Sequence, residues 1–355
     1  MSAQTAQTAL NRLLGVEHAL IQAPMAGHQG HALAAAVSNA GALGSLPSAT
    51  FSPQALAAEL QALRAQTERP FNLNFFCHPT PQADAAREQR WRQRLSPYAD
   101  EFGIDLGAVA ASPGRAPFSA ALADLVEPFL PPVVSFHFGL PEPALLQRVK
   151  AWGAVVLSSA TTLDEGRWLQ AHGADAVIAQ GLEAGGHRGH FLGGDLDVAA
   201  QSGTLALVAG LLRVLHVPVI AAGGIADARA VAAMRALGAA GVQIGTAYLL
   251  CPEAQTSAVH RAALKSPQAQ RTALTNLFTG RPARGIVNRL MHEQGPMQPD
   301  APAFPLAGAA LAPLRAAAEA VGRSDFSPLW AGADAGGCRE IGAAELTRAL
   351  AAGWV

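Results

Sequence analysis

Eight short apolar runs, each separated from the next by a longer segment, constrain this chain more than any other feature. They lie at about His18–Met25, Ala42–Leu46, Phe71–Phe76, Pro132–Phe138, Ala154–Ala160, Ala176–Gln180, Pro218–Ala222 and Gly241–Gly245. Most intervening segments carry helical patterns: His31–Asn39, Ser52 to about Thr67, Glu142–Trp152, Leu163–His172, Gly203–Leu215 and Asp227–Leu237. Ser52-Pro53 is a cap followed by proline at the first helical position. Strands apolar on both faces and alternating with helices build a parallel sheet. Eight is the number that closes it, so the expected fold is α/β, a (β/α)8 TIM barrel. A doubly wound open sheet competes, but it usually has fewer strands and one phosphate turn near its first strand.

Two stretches break the alternation. Cys77 to Pro132 is irregular, with a helix near Pro81–Leu95, and its length points to an excursion over the barrel mouth. Beyond Leu250, helical patterns at Ala254–Leu264 and Ala310–Val321 flank the Pro-rich Gln294–Pro305. We expect residues 13–250 plus about 306–355 to form the barrel. About 251–305 should form a smaller helical cap inserted after the eighth strand.

Half of the chain is hydrophobic, 14% is charged and the formal net charge is −1, so a large core is available and no basic field exists for nucleic acid. Cys77, Cys251 and Cys338 are too dispersed for a disulfide framework or a zinc site, which suits a reducing compartment and small-hydrophobe roles. No metal is expected. Met1–Gln7 lacks the charged and apolar regions of a signal peptide, and no apolar stretch reaches the roughly 18–20 residues of a membrane span. A cytoplasmic protein, monomeric or homodimeric, acting on small molecules is the expectation.

The sixth run leads into Gln180-Gly181-Leu182-Glu183-Ala184-Gly185-Gly186-His187-Arg188-Gly189. Glycines there let the backbone approach a flat or anionic ligand, and residues just past the C-terminal end of a barrel strand sit where such enzymes do chemistry. An ordinary Gly-rich turn with a solvent-facing histidine is the bland reading. The seventh run ends in Gly223-Gly224 and the eighth in Gln243-Ile244-Gly245-Thr246, and loops after these two strands form the common phosphate site of such barrels. That phosphate belongs to a flavin mononucleotide or a sugar phosphate, unless the glycines serve only packing. The first run ends in Gln22-Ala23-Pro24-Met25, a tight apolar turn suited to one face of a planar ring or merely to a core methionine. Asn74 and Gln180 are amides at strand ends, able to bond ring carbonyls or nitrogens.

Taken together, Ile21–Gly27, Phe71–Phe76, Ser135–Gly139, Ser158–Thr162, Ala179–Gly189, Val219–Ile225, Gln243–Ala247 and Gly280–Arg289 resemble the nitronate monooxygenase family, most of all its class I branch. The resemblance spans most of the chain in barrel order. It implies FMN-dependent oxidation of alkyl nitronates, particularly propionate 3-nitronate, by O2 through the flavin semiquinone. The products would be the carbonyl compound and nitrite or nitrate. It further implies that Asn74, Gln180, Gly185, Gly224 and Gln243 to Thr246 contact FMN. His187 would stand at the reacting substrate, holding the nitronate oxygens or removing a carbon proton. Arg188, Arg281, Arg284 and His137 are candidates for holding the anionic substrate; Arg188 also reads as a salt bridge to the cap, and His137 as a core histidine. Related FMN reductases, acting on enoyl-acyl-carrier-protein or quinones with NAD(P)H, carry a similar Gly-His loop and remain the alternative. A flavin-free isomerase or aldolase and a non-catalytic flavin-binding barrel are further readings; only Lys150 and Lys265 are available for a Schiff base, and neither lies on a predicted strand.

Overall fold

Every one of the eight apolar runs is a strand core in the computed structural model, which describes residues 8–110, 114–194 and 197–354. The Met1–Gln7 segment discussed above lies outside those residues. In chain order the strands are β1 (Leu20–Gln22), β2 (Gly44–Pro47), β3 (Phe71–Phe76), β4 (Val133–His137), β5 (Val155–Ala160), β6 (Ala176–Gln180), β7 (Gly186–His187), β8 (Val219–Ala222), β9 (Gly241–Ile244), β10 (Thr272–Thr275) and β11 (Ala283–Ile286). Eight of them pair in parallel in the order β1-β9-β8-β6-β5-β4-β3-β2. The ring closes where Ile21 bridges Leu43, with Gln22 N donating to Leu43 O and Leu43 N to Leu20 O, both at 2.9 Å. This is the expected TIM barrel rather than an open sheet.

Period-two alternation sorts the strand side chains even though both faces are apolar. Ile21, Leu43, Val133, Leu157, Ile178 and Ile220 point inward and meet Leu10 and Leu14 of the N-terminal helix Ala9–Leu14. Val177, Ala179, Val219 and Val242 point outward to Leu207, Leu211 and Val231 of the surrounding helices. Leu10 fills the barrel next to β9: a Cβ on Gly241 would lie 2.3 Å from its Cδ2.

The cover over the barrel mouth departs from expectation. Residues 251–305 hold two short helices, Ala258–Leu264 and Arg289–Gln294, but also β10 and β11, so a purely helical cap is not what forms. These strands make an antiparallel sheet in the order β10-β11-β7, which ties the cover to the Gly-His loop. Four-residue strands leave little periodic signal in sequence, and β11 pairs on its other side with a two-residue strand nearly a hundred positions away. The helix Ala85–Phe102 and the helix Gly308–Ala320 join this layer around Trp91, Leu95, Leu277, Leu290, Leu311 and Leu314. Trp91 Nε1 donates to Ala307 O at 3.1 Å, satisfying the indole in the cluster. Among the described residues no helix is long and apolar enough to cross a membrane.

Candidate active site

The loop after β6 is shaped by close approaches. A Cβ on Gly181 would lie 2.0 Å from Thr204 Oγ1, and one on Gly185 would lie 2.6 Å from Gly332 N. Glycine is therefore required by packing at both positions. β7 then pairs with β11, His187 opposite Ala283. Gln180 braces the turn from below: its Nε2 donates to His187 O at 2.9 Å and its Oε1 accepts from Gly189 N at 2.8 Å.

His137 helps from the neighbouring strand β4. Its Nε2 lies 3.1 Å from His187 O and its Nδ1 lies 2.6 Å from Ser159 Oγ. A carbonyl only accepts, so Nε2 carries the proton and Nδ1 accepts from the serine hydroxyl. Burial, then the nearby Arg281 and Arg188, lowers its pKa to about 3. His137 is a neutral brace for the loop, closer to the core-histidine reading than to the anion-binding one.

His187 faces the cavity at the barrel mouth. Its Nε2 is 3.0 Å from Thr279 Oγ1, which leaves Nδ1 as the nitrogen available to a ligand. Phe304 and Trp330 stand 5.2 and 5.5 Å from the imidazole, centroid to centroid. Burial, followed by the charges of Arg115 and other neighbours, drives its pKa well below the ordinary histidine value. His187 is thus uncharged near neutral pH; Thr279 Oγ1 donates to Arg281 O at 3.4 Å, so Nε2 carries the imidazole proton and Nδ1 is an acceptor.

The arginines divide by position. Arg188 is fully buried and turned away from the cavity, donating to Gly181 O at 2.5 Å, Gln180 O at 2.9 Å and Gln201 Oε1 at 2.9 Å. Its partners are carbonyls, not the cap carboxylate that a salt bridge would need. Arg284 donates to Leu182 O at 2.7 Å and to Thr272, outside the cavity. Arg281 lies 4.1 Å over the Phe138 ring and donates to His190 O, also outside it. The cation that does line the cavity is Arg115. Among the described residues it forms no ion pair, although Asp334 lines the same cavity, and burial lowers its pKa. It sits in the irregular 100–132 stretch, where no pattern marks it in sequence.

Most expected cofactor residues converge. Ala23, Pro24, Met25, Asn74, Gln180, Gly185, Gly223, Gly224, Gln243, Ile244, Gly245 and Thr246 all line the cavity. Gln22 does not: it is fully buried, its Nε2 donating to Gln29 Oε1 at 2.7 Å and its Oε1 accepting from Ser45 N at 3.0 Å. Asn74 spends its amide hydrogens on Ser135, leaving Oδ1 for a ligand. Gln243 Oε1 is buried with no partner, a cost that a ring donor would remove. Gly223 and Gly224 have φ of +118° and +66°, and Gly245 lies against the Ala23–Met25 turn. The backbone amides of Gly224, Ile225, Thr246 and Ala247 have no protein acceptor among the described residues. Thr246 Oγ1 already accepts from Gly332 N at 2.9 Å, so its hydrogen is free to donate. Asp227 caps the next helix through Ala230 N at 2.8 Å, so an anion here is met by loop amides rather than by that helix end. Free amides at one end and orphaned amide oxygens at the other fit a planar polar ring carrying a phosphate.

Fold and site define a barrel enzyme of the flavin-dependent oxidoreductase class, working at the C-terminal ends of its strands. The family model for nitronate monooxygenase matches residues 7–353, and the chain belongs to that family. It is 45% identical over 348 residues to the nitronate monooxygenase of Pseudomonas aeruginosa, covering 96% of this chain and 97% of that protein. The nitronate monooxygenase of Paraburkholderia phytofirmans is 41% identical, covering 99% and 96%. Among solved structures, nitroalkane oxidase from Streptomyces ansochromogenes superposes with a TM-score of 0.88 at 37% identity, covering 98% of each chain. FabK from Thermotoga maritima follows at 0.70 and 28%, covering 99% and 96%.

Proposed function

We propose that this protein oxidises alkyl nitronates with O2 using FMN, propionate 3-nitronate being the preferred substrate, to give the carbonyl compound and nitrite or nitrate. Residues 13–250 and about 306–355 hold the cofactor, and about 251–305, joined by 85–102, cover the substrate. FMN, when bound, supplies the electron acceptance and the reactivity towards oxygen. Asn74, Gln180 and Gln243 would hold the ring, with Ala23 to Met25 against one face. Gly185, Gly223, Gly224, Ile244, Gly245 and Thr246 would surround the phosphate end.

The observation that carries this reading is a neutral, buried His187 with a free Nδ1 in the same cavity as an unpaired Arg115. An acceptor nitrogen there removes a carbon proton from a neutral nitroalkane. For a nitronate that already carries the charge, the imidazole instead orients the reacting group. Arg115 meets the substrate's negative charge, a role for which Arg188, Arg281, Arg284 and His137 are the candidates in sequence. The aromatic rings around His187 exclude water, which strengthens both interactions.

The test is an aerobic assay of the yellow, FMN-replete protein with propionate 3-nitronate, following oxygen uptake and nitrite release. A replete protein that consumes no oxygen refutes the proposal. Anaerobic mixing with NADH or NADPH should leave the flavin oxidised; rapid bleaching assigns the chain to the reductases instead. We read the protein as a cytoplasmic monomer or homodimer, which light scattering on the eluted peak checks.

A further inference from the structure

A second cavity opens outside the first, enclosing about 430 Å³. Phe304 partitions the two: it lines the outer cavity, while its ring stands 5.2 Å from that of His187 in the inner one. His78 packs edge-on against the partition at 4.8 Å.

The lining of this outer cavity is one-sided in charge. Arg87, Arg281, His78 and His190 contribute to it, and among the described residues no aspartate or glutamate does. Arg87 forms no ion pair, and its Nε is buried without a partner. Arg281 bonds only carbonyl oxygens and the Phe138 face. It stays cationic at neutral pH, although burial brings its pKa down to about 10. His78 Nδ1 and His190 Nδ1 are likewise buried and unpartnered. The Asn276 amide donates to Gln298 O and accepts from Gln298 N, and the Gln298 side chain donates to Gln294 O, so the neutral wall is already satisfied. Glu165 acts on Arg281 from outside the cavity, but none of these four side chains is paired with a carboxylate inside it, and leaving the buried Arg87 Nε and two imidazole nitrogens unpartnered costs free energy that an anion would return. Guanidinium groups present planar forks matched to planar oxyanions.

We propose that the outer cavity is a binding site for a small planar oxyanion, a carboxylate, nitrite or nitrate, held between Arg87 and Arg281 outside the Phe304 partition. Arg87 comes from the helix Ala85–Phe102 and Arg281 from the turn before β11, so the anion also links two segments of the cover. The site stands on its own geometry and does not depend on nitronates being the substrate.

Isothermal titration of the FMN-replete protein with sodium nitrate, and separately with sodium acetate, tests it. Saturable binding of nitrate is expected. Arg87→Gln should weaken that binding at least tenfold, Arg87→Lys should retain part of it, and neither should change the visible flavin spectrum. A crystal soaked in bromide should show anomalous density between Arg87 and Arg281. Nitrate binding with acetate excluded assigns the site to nitrogen oxyanions, and binding of both assigns it to planar oxyanions in general. Failure of both anions to bind overturns the proposal. So does nitrate affinity that survives Arg87→Gln but disappears in Arg115→Gln, because the anion then occupies the inner cavity.

Discussion

At the scale of single residues, neighbours in sequence have opposite duties. His187 faces the cavity, while Arg188, one position on, is buried against Gly181 and Gln201. Replacing His187 with Asn should leave the FMN content unchanged and lower kcat/KM on nitronate by about 100-fold or more, the usual worth of a positioned acid–base group. Normal turnover in the pure variant would remove His187 from the chemistry. Arg115→Gln should raise KM for propionate 3-nitronate by about 10- to 100-fold, the worth of a charged hydrogen bond, and raise it much less for butyl nitronate. An equal loss on both substrates would place Arg115 at the nitronate group rather than at the carboxylate. His187, the glycine pairs and Asn74 were legible because their residue types stand at strand ends. Arg115 was not, because an arginine in an irregular stretch resembles any surface arginine until the chain folds over the mouth.

At the scale of elements, the loop between β6 and β7 is held by hydrogen bonds from three largely buried side chains. Gln180, His137 and Arg188 together bond His187 O, Gly189 N and the carbonyls of Gln180 and Gly181. Arg188→Met should therefore destabilise by about 1–3 kcal/mol for each carbonyl left unpaired. It should also lower activity through loop disorder, read as a reduced melting temperature together with a lower FMN occupancy. An unchanged melting temperature with a raised KM would restore Arg188 to substrate binding. Helices with local caps were placed to within a few residues, as at Ser52, Thr162 and Asp227, because a cap is written in adjacent residues. The β10-β11-β7 sheet was missed because its strands are only two to four residues long and one of its pairings joins positions 187 and 283, which no local pattern connects.

At the scale of the molecule, the barrel mouth gathers an unusual density of buried histidines. His28 and His190 are depressed to about 4, His137 and His260 to about 3, and His78 and His187 are lowered as well, burial being the largest cause in each. Unfolded, each takes its proton near 6.5. Below that value the unfolded chain binds more protons than the fold, so stability is full above about 6.5 and falls as the pH drops towards 4. Each such histidine withdraws about 1.4 kcal/mol per pH unit across that window. The melting temperature should decline steadily from pH 6.5 to 4.5, with flavin release at its acid end. A flat profile over that range would show that these imidazoles are not buried in neutral form.

The chain's alternation of apolar runs and helices determined by itself that a parallel sheet would form, because such strands need cover on both faces, and the count of eight favoured closing it into a ring over leaving it open. Residue type and position at strand ends also marked most of the residues that line the cavity at the barrel mouth. Tertiary structure alone decided which arginine enters the cavity, which amides brace the loop and what covers the mouth. Those outcomes depend on how the backbone folds back, across 7 positions for Gln180 and His187, 50 for His137 and His187, and nearly a hundred for His187 and Ala283, and the side chains carry no trace of the partner until it is within reach.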